Sequence, residues 1–128
     1  MAEPELILVI EDEEGVRESI VDILTYGGYS VLAVARGDEG LKAFSSHVDQ
    51  IHLIFLDVVL PDMSGLETMQ RLRQTSSDIN IVFSSGYDRL ELERRLGWTI
   101  VSDEHTYFLQ KPFTMAALNA TVRMILGA

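Results

Sequence analysis

The stretch Leu53-Ile54-Phe55-Leu56-Asp57-Val58-Val59-Leu60-Pro61-Asp62-Met63-Ser64-Gly65-Leu66-Glu67 decides how the chain folds. An apolar run, Ile51–Leu56, stops on an aspartate, where a purely structural residue would more often be apolar or a turn former. The run is near-continuous rather than alternating, the pattern of a strand covered on both faces in a parallel sheet. Ser64-Gly65-Leu66-Glu67 then reads as a capping box: the serine hydroxyl accepts an amide proton and the glutamate reaches back. Leu66, Met69 and Leu72 give the helix that follows an inward stripe.

The same strand-then-helix unit recurs on both sides. Further apolar runs lie at Leu6–Ile10, Val31–Val34, Ile79–Phe83 and Tyr107–Leu109. Val16, Ile20, Ile23 and Leu24 have helical spacing, and Gly27-Gly28 stops that helix. Leu41 and Phe44 mark a second, shorter helix, and Thr114 can cap a last one carrying Met115, Leu118, Val122 and Ile125. Asp88 to Gly97 is the weakest helix, with six of its ten residues charged. Five β-α repeats predict an α/β fold, a parallel sheet wound on both faces with right-handed crossovers. With no repeat, linker or low-complexity tract, residues 1–128 are expected to form one domain with no output domain attached.

Composition narrows the function. The 128 residues include 20 acidic and 10 basic side chains, a net charge of −10, and no cysteine. Thiolate metal sites and a cysteine nucleophile are therefore excluded. The negative surplus argues against direct nucleic-acid binding, and no apolar run suits membrane insertion. The acidic start Met1-Ala2-Glu3-Pro4-Glu5 does not read as a signal or transit peptide, so a cytoplasmic location is expected.

In such a fold ligands bind beyond the carboxyl ends of the strands. Those ends carry Glu11-Asp12, Asp57, Ser84-Ser85-Gly86 and Lys111-Pro112, while Ala35-Arg36-Gly37 adds no obvious chemistry. Each has a bland alternative: an acidic pair in a solvated turn, serines that merely end a strand, a loop proline. Their joint placement on one edge does not. Two carboxylates ~4 Å apart repel by about 4 kcal/mol at an effective dielectric near 20. Three of them with a single lysine are best explained by a divalent cation. Oxygen ligands alone point to Mg²⁺, with Mn²⁺ as the alternative.

Leu8-Val9-Ile10-Glu11-Asp12-Glu13, Leu56-Asp57 through Pro61 to Gly65, Phe83-Ser84-Ser85-Gly86 and Lys111-Pro112-Phe113 together resemble the receiver domain of two-component response regulators, the CheY-like superfamily. Within it, the match resembles receivers that work with hybrid sensor histidine kinases. The resemblance implies a flavodoxin-like strand order, 2-1-3-4-5, and a phosphorylation-dependent switch. It makes Asp57 the phosphoacceptor, gives Mg²⁺ to Glu11, Asp12, Asp57 and the Val59 carbonyl, and makes Ser85 the switch hydroxyl. Lys111 would pair with the phosphoryl group, Phe108 would be the switch aromatic, and the Lys111–Pro112 bond would be cis. Pro61, Gly65, Gly86 and Pro112 take structural positions. The implied donor is a histidine kinase or histidine phosphotransfer protein, docking near the first helix and the active-site loops. An unknown downstream protein or output domain would read a face around Phe108, Met115 and the last helix.

Several residues depart from the family pattern. Glu11 stands where many relatives have aspartate, so altered metal affinity is expected. Val59 and Tyr87 are poor at orienting water, which predicts slow self-dephosphorylation. The segment 88–105 predicts a short, shifted or mobile fourth helix, with Trp98 as an anchor or a partner contact. His47, His52 and His105 read as structural or solvated. A phosphatase of the haloacid-dehalogenase type would need a second aspartate where Val59 stands, so independent substrate turnover is not expected. A degenerate receiver, serving only as a binding module, would have lost Asp57, Ser85 or Lys111, and none is lost.

Overall fold

The computed structural model describes residues 3–97 and 104–127. Trp98 lies outside the described residues. The elements are β1 (Leu6–Ile10), α1 (Glu14–Tyr26), β2 (Ser30–Val34), α2 (Gly37–Ser46), β3 (Ile51–Asp57), α3 (Gly65–Thr75), β4 (Asn80–Ser85), α4 (Arg89–Leu96), β5 (Thr106–Gln110) and α5 (Met115–Leu126). All strand pairings are parallel, and the strand order is β2-β1-β3-β4-β5. This is the doubly wound α/β sheet expected from the sequence.

Alternate side chains of each strand feed separate cores, which is why the runs are continuous rather than alternating. Leu8, Ile10, Ile54, Leu56, Ile81 and Phe83 face one way and pack with Phe44 of α2, Met69 and Leu72 of α3 and Leu92 of α4. Ile7, Val9, Leu53, Phe55 and Val82 face the other way, onto Ile20 and Leu24 of α1 and Leu118 and Val122 of α5. Each such fully buried side chain contributes roughly 1.5–3 kcal/mol relative to exposure. The sheet is thereby a rigid platform whose carboxyl edge is fixed from both faces.

The helix starts follow local chemistry. The Ser64 hydroxyl accepts from the Glu67 amide at 3.1 Å, as the capping box predicts. Its second half is not formed: the Glu67 carboxylate pairs instead with Arg71 at 3.7 Å. Thr114 caps α5 by accepting from the Ala117 amide at 3.0 Å. The fourth helix is short, as expected, and buries only Leu92. It sustains itself by local pairs: Arg89 with Glu93 at 3.1 Å, Arg95 with Glu91 at 2.9 Å, and Arg94 with Glu91. Asp88 caps it through the Glu91 amide at 2.8 Å, and Gly97 ends it at φ +67°, a backbone state that glycine adopts without strain.

Candidate functional site

The site grows out of where three strands stop. Asp57 is the last residue of β3, in register with Ser84 of β4, and the next amide, that of Val58, donates to the Ser84 carbonyl at 3.0 Å. The strand thus runs one residue further than its apolar run, so the aspartate is fixed by sheet hydrogen bonding rather than hung on a loop. Beyond β1, the Glu11 amide donates to the Val34 carbonyl at 3.0 Å and extends the ladder. Past β5, the Lys111 amide donates to the Ser85 carbonyl at 2.7 Å. Lys111 is thereby drawn toward the middle of the sheet edge.

These backbone constraints bring the predicted side chains together. Lys111 Nζ donates to Glu11 Oε1 at 2.6 Å and lies 3.4 Å from Asp57 Oδ1. The other Glu11 oxygen, Oε2, accepts from the Glu13 amide at 3.2 Å. One carboxylate oxygen from each of Glu11, Asp12 and Asp57 lies within 4.8 Å of the others. Glu11 has no exposed surface at all, whereas Asp12 is open to solvent. A buried glutamate cannot be a solvated turn, and the bland reading of Glu11-Asp12 therefore fails for Glu11.

The electrostatics follow from burial. Desolvation, reinforced by hydrogen bonding and repulsion from Glu11, pushes the Asp57 carboxyl up to about 7, against the opposing pull of Lys111 and the Val59 amide. Burial alone would lower Lys111, but its hydrogen bond to Glu11 and the charges of Asp57 and Glu11 outweigh that and raise it. One ammonium does not balance the cluster. Three closely set carboxylates, all hard oxygen donors and one aimed outward, fit a divalent cation such as Mg²⁺.

The loop from Val58 to Ser64 closes on itself. The Gly65 amide donates to the Val58 carbonyl at 2.7 Å, and Val59 and Ser64 form an antiparallel bridge. Gly65 is buried, and a Cβ there would stand 2.4 Å from the Asp57 carbonyl oxygen. Only glycine lets α3 begin this close to the end of β3. Gly86 differs: a Cβ there would meet nothing within 4 Å. It lines a groove of about 670 Å³ that runs from Glu13 and Val16 past Lys111 to Phe113. Pro61 is exposed, and Lys111–Pro112 is cis, as the resemblance implies.

Both serines that end β4 are buried. Ser85 Oγ accepts from the Tyr87 amide at 3.0 Å, whereas Ser84 Oγ has no partner. Replacing Ser84 by alanine removes an unsatisfied hydroxyl and keeps the shape, so an unfolding free energy raised by about 1 kcal/mol is expected. Urea titration checks this; a loss of stability would mean that the hydroxyl is bonded after all.

Phe108 sits in register with Phe83 and packs on the α2–α3–α4 side. Met115 lines a recess with Ile23 and Tyr26 of α1, on the other side of the sheet. The expected common face around Phe108 and Met115 is therefore divided, because Phe108 turns from β5 toward the α2–α3–α4 side whereas Met115 opens α5 on the α1 side. His47 Nδ1 lies against the Ala43 carbonyl, His52 Nδ1 accepts from the Leu6 amide of β1, and His105 faces Asn80, in keeping with structural roles. Arg17 went unnoticed in the sequence. Its guanidinium donates to the carbonyls of Glu11 at 3.0 Å and Asp12 at 3.3 Å and so braces the acidic turn. Its place in the first turn of α1, just after the acidic pair, was the available signal.

This geometry of five parallel strands around an acidic edge with a half-buried lysine has close counterparts. The family model for the response regulator receiver domain matches residues 7–123, and the chain belongs to that family. It is 36% identical over 123 residues to the response regulator MprA of Mycolicibacterium vanbaalenii, covering 96% of this chain and 51% of that protein. It is 35% identical over 120 residues to the sensor kinase CckA of Brucella abortus, covering 94% of this chain and 12% of that protein. The chain thus spans about half of the first and a small part of the second. Among solved structures, the chemotaxis protein CheY4 of Vibrio cholerae superposes with a TM-score of 0.83 at 23% identity, covering 95% of this chain and 98% of that one, which establishes the fold. Receiver domains act as phosphorylation-dependent signalling switches. None of the described helices is long and apolar enough to cross a membrane.

Proposed function

We propose that Asp57 is the phosphoacceptor of this receiver. A carboxylate oxygen attacks the phosphorus of a phosphohistidine donor, and the imidazole nitrogen leaves with the bonding electrons. The observation that carries the reading is Lys111 Nζ set between Glu11 and Asp57, beside three converging carboxylates. Transfer between anions needs positioning and neutralisation more than covalent help. Glu11, Asp12, Asp57 and the Val59 carbonyl would hold Mg²⁺, with Mn²⁺ as a substitute. When bound, the ion neutralises charge on the attacking and transferring oxygens. Lys111 exchanges its bond to Glu11 for one to the new phosphoryl group, which carries nearly two negative charges.

Ser85 then donates to a phosphoryl oxygen, and Phe108 moves on the α4 side of β5, a local charge event biasing a bistable element. The split between Phe108 and Met115 supports two separate surfaces. Phe108 and α4 suit a downstream reader, while the groove beside Lys111 suits a histidine kinase or phosphotransfer protein. The domain works as a cytoplasmic switch without turnover of an independent substrate. Intact mass after incubation with acetyl phosphate tests the reading. One phosphoryl adduct is expected with Mg²⁺, none with a chelator and none in Asp57→Asn. An adduct that persists in Asp57→Asn at the same yield would overturn the assignment.

A further inference from the structure

We propose that Asp62 is a positioning residue that fastens the 58–64 loop, and with it Val59, to the first turn of α2. The inference rests on the metal site proposed above and assigns a role to a residue outside it.

At the N-terminus of α2, Asp38 Oδ1 serves the Glu39 amide at 2.8 Å, which leaves the Gly37 and Asp38 amides to another element. Arg36, at the N-cap position, offers no side-chain bond to the exposed amides, and its guanidinium turns to Asp38 at 3.1 Å. The first helical amides need acceptors nonetheless. Asp62 supplies them from another element: Oδ1 accepts from the Gly37 amide and Oδ2 from the Asp38 amide, each at 2.8 Å. Both oxygens of one carboxylate are thus committed to one helix end, where the helix dipole also favours negative charge. Desolvation acts upward on Asp62, but the Asp38 and Gly37 amides outweigh it and hold the carboxyl below its ordinary range.

The contact is a fastening rather than a brush of side chains. Gly37 is buried, and a Cβ there would come within 2.6 Å of Met63 Cγ and 2.8 Å of Thr68 Oγ1. The loop therefore lies flat on α2 through Asp62 and Met63 together. On its inner side it is closed by the Gly65-to-Val58 hydrogen bond and the Val59–Ser64 bridge. Val59 belongs to the inner anchorage through its bridge to Ser64. Its side chain is largely exposed, so packing does little to hold its carbonyl in place. Asp62 adds a second restraint, from the first turn of α2. Because coupling free energies are reciprocal, a cation held through the Val59 carbonyl should in turn steady the Gly37 and Asp38 amides.

Residue-resolved amide exchange and Mg²⁺ calorimetry test this on the intact chain. Without metal, Asp62→Ala should speed exchange about fivefold at Gly37 and Asp38 and also across the 58–64 loop, the change that loss of an ordinary cap represents. Mg²⁺ affinity should fall roughly tenfold, the low end for losing a group that orients a metal ligand. Asp62→Asn, which keeps one acceptor, should fall between, and it serves if the alanine variant does not fold. Thr114→Ala removes a cap far from the loop. It should lower stability comparably and leave loop exchange and Mg²⁺ affinity unchanged. Faster exchange confined to α2, with the loop amides unmoved, would overturn the proposal and leave Asp62 as a cap only. If the wild type takes up no Mg²⁺, the metal reading fails, while the metal-free exchange still decides the role of Asp62.

Discussion

Replacing Gly65 with alanine is expected to lower the unfolding free energy by about 3 kcal/mol and to impair phosphorylation with it. The added Cβ would stand 2.4 Å from the Asp57 carbonyl oxygen, 2.7 Å from Val58 Cα and 2.9 Å from the Val58 carbonyl oxygen. All three are backbone atoms, so no side chain can swing aside to make room. Either α3 retreats, breaking the 2.7 Å bond from the Gly65 amide to Val58, or the end of β3 shifts and carries Asp57 with it. Both routes disturb the backbone next to Asp57, the proposed phosphoacceptor. Gly15, in the first turn of α1, is the matched control, because a Cβ there meets nothing within 4 Å. Gly15→Ala should stabilise by about 0.5–1 kcal/mol through helix propensity and a less flexible unfolded chain. Urea unfolding of the pair separates crowding from propensity. A Gly65→Ala variant within about 1 kcal/mol of wild type would show that the backbone can yield.

The second large effect has an unusual sign, since Asp57→Asn should stabilise the metal-free protein above pH 7. Asp57 ionises near 3.8 when unfolded and at about 7 when folded, because it is buried beside Glu11. Between those values the folded state binds more protons than the unfolded state. Wild-type stability therefore falls as pH rises from about 4 to about 7 and carries the full cost above that range. Asparagine keeps the shape and removes the charge, so the wild-type slope over this window should largely vanish. At pH 8 in a chelator, the variant should exceed wild type by on the order of 2 kcal/mol, after allowing for the lost contact with Lys111. At pH 4 to 5 the gap should close. Adding Mg²⁺ at pH 8 should stabilise wild type more than the variant, by mass action on the state that binds it. Thermal unfolding in the two buffers decides the matter. A wild type more stable than the variant at pH 8 without metal would contradict the account of the cluster.

Strand and helix order was legible in the sequence because two-sided burial writes continuous apolar runs, and Leu53 to Leu56 is such a run. Capping chemistry at Ser64 and Thr114 was legible for the same local reason. The half-formed capping box was not, because Glu67 chose Arg71 one turn ahead, and either pairing satisfies the sequence pattern. Glu11, Asp12, Asp57 and Lys111 could be named from their places at strand ends. Arg17 and Asp62 could not be given roles, since their partners are backbone groups that have no identity in the sequence.

The sequence by itself determined the βα alternation, the doubly wound sheet and the identity of the acidic edge, because periodicity and strand-end chemistry are local properties of the chain. Tertiary structure alone decided that Glu11 is buried and takes Lys111, that Phe108 and Met115 part to opposite sides, and that Asp62 caps a helix from a distant loop. Each of these depends on how separate elements meet in space, and distances between elements are set by packing rather than by any local pattern of residues.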